Sequence, residues 1–178
     1  MSRNVLITGA SGFVGKNLVF HLSANSNFRI VANGRKKVDY FNHLPNVVYE
    51  ACDFTVVSNP LQFDICIHCA AKVDDKGSFS DFFIENVKKT EDLIKRMKTD
   101  VLFIYISSSS VYNFADSCVK KENDTFGLNK LSAYGKTKRM AEECIIQNCT
   151  NYVILRPRAV YGPGDTTLLP RVLKLIKK

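Results

Sequence analysis

Val5-Leu6-Ile7-Thr8-Gly9-Ala10-Ser11-Gly12-Phe13-Val14-Gly15 is a short apolar β run leading into three glycines at Gly-x-x-Gly-x-x-Gly spacing. The strand is expected over Asn4–Thr8. Gly12–Ala24 then has helical spacing, with Phe13, Leu18 and Leu22 among its apolar positions. Glycines between a strand and a helix have a physical use. One permits a tight turn, a second lets the main chain approach a pyrophosphate, and a third lets the helix pack close to the strand. The N-terminus of the helix adds unpaired N–H groups and a positive partial charge, which suit phosphate. Gly9, Ser11, Gly12, Phe13, Val14 and Gly15 are therefore read as a cradle for a dinucleotide.

Outward from this loop the chain alternates strand and helix. Further strands are expected at Phe28–Asn33, Val47–Glu50, Phe63–Cys69, Asp100–Ile106 and Asn151–Leu155. Phe63–Cys69 is apolar throughout, as in a strand buried on both faces. Long helices are expected at Ser80–Lys98, with Phe82, Phe83, Val87, Ile94 and Met97 on its apolar side, and at Ser132–Asn148. This alternation predicts an α/β fold, a Rossmann-type doubly wound parallel sheet with helices on both faces. Ligands of such sheets sit beyond the carboxyl ends of the strands, where the strand order reverses. Gly9–Gly15, Ala70–Lys72, Ser107–Ser110 and Pro157–Val160 all follow expected strands at that end.

Three groups of residues there bear on chemistry. An acidic residue about 20 positions past the glycines commonly binds the ribose 2′-hydroxyl of NAD. The second strand ends instead in Asn33-Gly34-Arg35-Lys36-Lys37. Arg35 and Lys36 suit a 2′-phosphate, so NADP is favoured, with NAD possible. Tyr134 and Lys138 stand four apart at the start of a helix and share one face. An ammonium near a phenol lowers its pKa, which makes the tyrosine a proton donor and acceptor for alcohol–ketone chemistry. Ser107-Ser108-Ser109-Ser110 ends the fifth strand and offers hydroxyls to a substrate oxygen.

Composition narrows the field. The chain has 178 residues, which suits one domain with a sizeable core. No apolar run reaches the ~20 residues of a membrane span. Met1-Ser2-Arg3-Asn4 leads straight into the first strand without the pattern of a signal peptide, so a cytoplasmic location is expected. Six cysteines, at 52, 66, 69, 118, 144 and 149, are then expected as thiols. Cys66-Ile67-His68-Cys69 has the look of a metal knuckle, but no second pair at zinc spacing accompanies it, and no metal is expected. The net charge of +8 is spread along the chain without interleaved aromatics. It is read as a solvated surface that attracts phosphate-bearing ligands, rather than as a nucleic-acid or membrane interface.

Taken together, Thr8–Gly15, His68-Cys69-Ala70-Ala71, Ser107–Tyr112, Tyr134–Lys138 and Leu155–Asp165 resemble the extended short-chain dehydrogenase/reductases, the NAD-dependent epimerase/dehydratase group. The resemblance covers essentially the whole chain. It implies an NAD(P)-dependent enzyme that moves a hydride between nicotinamide and a secondary alcohol or ketone. Ser108, Tyr134 and Lys138 would be catalytic: Tyr134 as general acid and base, Ser108 on the same substrate oxygen, and Lys138 lowering the tyrosine pKa and holding the nicotinamide ribose. Asp53 and Phe54 would lie by the adenine. Ala70, Ala71 and Lys72 would line the cofactor with Asn86 behind them, Ser107 would adjoin it, and Pro157 and Val160 would border the nicotinamide.

Sugar dehydratases of the group have Asp-Glu after the catalytic hydroxyl, where this chain has Ser109-Ser110. The Ser-rich strand end is similar to nucleotide-sugar 4-epimerases, so a nucleotide sugar is the expected substrate. Ala70–Val73 and Gly162–Arg171 are equally similar to the 3β-hydroxysteroid-dehydrogenase branch, and a non-catalytic NADP-binding module is a third reading. Members often form homodimers through two long helices, here Ser80–Lys98 and Ser132–Asn148. The expected organisation is a dinucleotide-binding domain over 1–165, with 166–178 the start of a truncated C-terminal substrate-binding region.

Overall fold

The computed structural model describes residues 2–73, 77–112, 131–166 and 168–176. Cys118, Thr167 and Lys177-Lys178 lie outside them. Six strands, β1 (Arg3–Thr8), β2 (Phe28–Gly34), β3 (Val47–Ala51), β4 (Ile65–His68), β5 (Leu102–Ile106) and β6 (Tyr152–Leu155), form one sheet in the order β3-β2-β1-β4-β5-β6. Every pairing is parallel. The chain builds outward from β1 to β3, then crosses back to lay β4 on the other side of β1. Thr8, the last residue of β1, is therefore in register with both Asn33 and His68. The crevice of a doubly wound sheet opens at this reversal.

Side chains alternate across the strands, so each strand supplies both faces of the sheet. Val5, Ile7, Ile30, Ala32 and Ile67 pack with Val19 of helix α1 (Phe13–Leu22) and with Phe41. Leu6, Cys66, Phe103 and Tyr105 pack on the opposite face with Leu93 of α3 (Lys89–Arg96) and with Ala141 and Ile145 of α4 (Ala133–Asn148). A helix α5 (Leu168–Ile176) follows the edge strand β6, whose Val153 and Leu155 stay exposed. Among the described residues no helix is long and apolar enough to cross a membrane.

Two expected elements differ. The apolar run 63–69 is a strand only over Ile65–His68, because strand register with β1 ends there; Phe63 is fully buried as part of the approach. The expected helix Ser80–Lys98 is interrupted. Helix α2 (Phe79–Phe83) runs into one wide π turn, Ile84–Lys88, before α3. Its start is well specified: Ser78 Oγ accepts from Asp81 N–H while Asp81 Oδ2 accepts from Ser78 N–H. The π turn has a clear purpose in the packing. It seats Asn86, which is buried, against the loop after β4. Asn86 Oδ1 accepts from Lys72 N–H at 2.7 Å, and its Nδ2 donates to Lys72 O and to Thr137 Oγ1 of α4. Wide turns of this kind often sit at functional sites.

Candidate active site

The glycine loop forms the floor of a cleft of 440 Å³. Gly9 has φ +67°, and a side chain there would run into the backbone of Cys69 and Ala70. Only glycine meets both demands. Gly12 begins α1 with no side chain capping it and no acidic residue in the first turn. The first-turn N–H groups have no partner within the helix, and their residues Phe13, Val14 and Gly15 line the cleft. Gly9, Ser11, Gly12, Phe13, Val14, Gly15, Arg35, Lys36, Phe54, Ala70 and Ala71 line this cleft, as expected from the sequence. It is joined by Asn33, Gly34, Cys52, Cys69, Val73, Glu85 and Thr166, none of which the sequence assigned to the cofactor. Gly162 and Gly164, both at positive φ, stand beside Phe13 and bring the segment after β6 over the loop. These residues fit a dinucleotide: a glycine-rich cradle at a helix N-terminus, with two cations at its far end.

The other expected cofactor residues lie outside that lining. Asp53 turns into the fold: its Oδ1 accepts from Thr55 N–H at 3.1 Å and its Oδ2 pairs with Lys89 at 2.7 Å. These bonds hold its carboxyl below the usual range against the opposing effect of burial. Lys72 lines an adjoining cavity of 540 Å³ with Arg35, Asp81 and Glu85. Asn86 braces Lys72 from behind, and Pro157 O accepts from Ser109 N–H at 3.0 Å. Val160 is exposed.

Ser108 and Tyr134 are brought together across the end of the sheet. Ser132 Oγ caps α4 by accepting from Gly135 N–H. Gly135 lies directly against the Ser110 carbonyl, where a Cβ would not fit. That close approach presses the first turn of α4 onto the serine-rich end of β5, where the Ser108 hydroxyl acts on the Tyr134 phenol. Burial holds the phenol pKa above its ordinary value, and the Ser108 bond partly offsets this.

Lys138 behaves differently from the expectation. It is almost fully buried, its Nζ donates to Ile106 O at 2.7 Å, and it sits 4.0 Å from the Tyr105 ring centre. Desolvation pushes its pKa down to about 7, against the pull of Cys69 and Glu142. The charge committed to Ile106 is not among the influences on Tyr134, so the expected lowering of the phenol pKa is replaced by a rise. Desolvation at this position thus favours the neutral amine far more than in water.

Behind these residues is a network that the sequence did not single out. Glu142 is fully buried. It accepts from Ser107 Oγ at 2.5 Å and from Arg156 Nε and NH2 at 2.9 and 2.8 Å. Arg156 NH1 also donates to Tyr112 OH at 2.6 Å. A signal was present: Lys138, Ala141, Glu142 and Ile145 recur at helical spacing as the buried stripe of α4, and a carboxylate on such a stripe needs a partner.

His68 belongs to a second network. Thr8 Oγ1 accepts from Ala70 N–H and meets His68 Nδ1 at 2.7 Å. His68 Nε2 meets Thr90 Oγ1 at 2.9 Å, and Thr90 Oγ1 donates to Asn86 O. The two ends fix the direction, since an amide must donate and a carbonyl must accept. Thr8 therefore donates to Nδ1, and Nε2–H donates to Thr90. Both ring nitrogens are used in a neutral imidazole that ties β1, β4 and the π turn together. Burial, then the Lys138 charge, depress its pKa to about 3. The unfolded reference of 6.5 lies above this, so the unfolded chain takes up the proton first as the pH falls. Stability is complete above about 6.5 and declines toward 3 by up to ~1.4 kcal/mol per pH unit. Urea midpoints at pH 7, 6 and 5 should fall stepwise, and His68→Gln should flatten the fall. A midpoint constant from pH 7 to 5 contradicts this account.

Comparisons with known proteins agree with this geometry. Residues 5–178 match the NAD dependent epimerase/dehydratase family. A UDP-glucose 4-epimerase of Vibrio cholerae is 28% identical, over 100% of this chain and 58% of its own length. A 2-alkyl-3-oxoalkanoate reductase of Shewanella oneidensis is 32% identical, over 96% of this chain and 48% of its own. The crystal structure of UDP-glucuronic acid 4-epimerase from Bacillus cereus, in complex with UDP-glucuronic acid and NAD, superposes with a TM-score of 0.78 at 26% identity, covering 91% of this chain and 58% of that one. The chain spans about half the length of these relatives. With its six-stranded parallel sheet, glycine loop and Tyr134–Lys138 pair, it belongs to the NAD-dependent epimerase/dehydratase family of extended short-chain dehydrogenase/reductases.

Proposed function

We propose that the chain is the cofactor-binding part of an enzyme that interconverts a secondary alcohol and a ketone, with a nucleotide sugar as substrate. The observation behind this is the part-buried Tyr134 phenol, whose pKa Ser108 lowers, at the same end of the sheet as the glycine loop. Gly9–Gly15 would hold the pyrophosphate, Phe54, Ala70 and Ala71 the sides of the cofactor, and Arg35 with Lys36 a 2′-phosphate, so NADP is the favoured form. Bound nicotinamide supplies the hydride chemistry. Tyr134 exchanges the proton of the substrate hydroxyl, Ser108 orients the same oxygen, and Lys138 replenishes the proton from below. The 32% identity to the Shewanella reductase supports a second reading, reduction of a ketone without epimerisation.

We also propose that residues 1–165 form the dinucleotide-binding domain, that the segment from Thr166 begins the substrate-binding part, and that the protein pairs as a homodimer. Helices α2–α3 and α4 pack side by side, and Phe79, Ile84 and Ile146 remain exposed on these elements. Titration of the chain with NADPH and NADH, followed by nicotinamide fluorescence, tests the cofactor reading. Saturable NADPH binding is expected. NADH binding alone would remove the role of Arg35 and Lys36, and binding of neither would overturn the reading.

A further inference from the structure

We infer that Glu85 is a specificity-determining residue at the adenosine ribose, where its carboxylate restrains binding of a 2′-phosphate and favours a free 2′-hydroxyl. This rests on the cofactor reading above. The end of β2 has no carboxylate in Asn33-Gly34-Arg35-Lys36-Lys37, and a side chain at Gly34 would have to displace its neighbours. A Cβ there would come within 2.7 Å of both Ser11 Oγ and Tyr49 OH. The anion that faces this corner comes from another part of the chain, the π turn after α2.

Glu85 lines the same cleft as Gly34, Arg35 and Lys36. Its Oε2 lies 3.3 Å from Arg35 NH1, while its Oε1 is held by Lys89 at 2.7 Å. Lys89 is anchored in turn by Asp53, also at 2.7 Å. The two oxygens therefore have different duties: one reaches into the cleft, and the other fastens the carboxylate from behind. Arg35 meets Glu85 through one nitrogen and its side chain is 68% exposed, so most of its planar donor array stays available.

A 2′-phosphate approaching Arg35 and Lys36 thus meets two cations and one tethered anion. Glu85 cannot withdraw without breaking its bond to Lys89, so the repulsion persists in the complex. A 2′-hydroxyl meets no such penalty and can donate to the carboxylate. The preference of this basic corner for NADP is in this way narrowed by Glu85.

The test is the ratio of NADPH to NADH affinity, by fluorescence titration of the chain and of Glu85→Gln. The glutamine keeps the shape and removes the charge, and the ratio should rise about tenfold in favour of NADPH, the scale of one nearby charge between surface and bulk-water screening. Glu91→Gln makes the same change in net charge at a carboxylate outside the cleft, paired with Lys88 and Lys95, and should leave the ratio unchanged. If the glutamine disturbs the turn, Glu85→Ala reads the same ratio. An unchanged ratio in a folded Glu85 variant overturns the inference while leaving the cofactor reading intact. An equal rise in Glu91→Gln overturns it too. Failure of the unaltered chain to bind either cofactor overturns both.

Discussion

A Tyr134→Phe variant should lose turnover by about 10³-fold, within the range for a positioned general acid and base, while its affinity for NADPH stays within about twofold. The phenol oxygen is the only atom removed. It is part-buried between β5 and α4, beside Ser108 and outside the lining of the dinucleotide cleft. Proton exchange and cofactor binding therefore separate at this residue. The assay is interconversion of UDP-hexoses, or reduction of a ketone substrate, by the unaltered protein and the variant at equal cofactor saturation. Undiminished turnover removes Tyr134 from the mechanism, whereas parallel loss of cofactor affinity makes it a structural residue. The raised phenol pKa implies that the hydroxyl is protonated at neutral pH, so the alcohol-forming direction starts with its proton in place.

Glu142→Ala should destabilise the fold by about 3–5 kcal/mol, the usual cost of stranding one member of a buried ion pair. The carboxylate is fully buried and the Arg156 side chain is only 14% exposed, so water cannot replace the lost partner. Ser107 and Tyr112 lose their bonded frame at the same time, since both join the pair at the ends of β5 and the turn after it. Replacing both charges, as Glu142→Leu with Arg156→Met, should cost less than the single change, because no unpaired charge remains. Urea denaturation measures both. A single variant within 1 kcal/mol of the unaltered chain would show that the network adds little.

The fold was legible because it depends on local signals. Strand–helix alternation and the glycine spacing at 9, 12 and 15 identify a doubly wound sheet, and Tyr134 with Lys138 lie on one helix face by spacing alone. What escaped the sequence depends on tertiary register. Glu85 meets Arg35 across fifty positions, and Glu142 meets Arg156 only once α4 lies beside β6. Lys138 was expected near the phenol, but burial between Tyr105 and the Ile106 carbonyl decided its direction. His68, suggestive of metal binding beside Cys66 and Cys69, is a hydrogen-bonding link between two threonines. The π turn has no local signature in Ile84-Glu85-Asn86-Val87-Lys88. It follows from Asn86 having to meet Lys72 and Thr137 at once.

That wide turn also sets a rule about length. A π turn is an α-helix with one residue too many, so dropping any one residue from 84–88 would leave a regular helix with no break in its ladder. The local structure would improve and the two flanking helix faces would keep their register, because the wide turn takes up its extra residue within itself. Phe82 and Leu93 on either side would stay in the core, but either Glu85 or Asn86 would lose its post, since both depend on the extra residue to face different walls. The helix is thus longer by one residue than its own geometry asks for, and the spare residue belongs to the cleft: a single-codon deletion here would be silent in helix content and damaging in function.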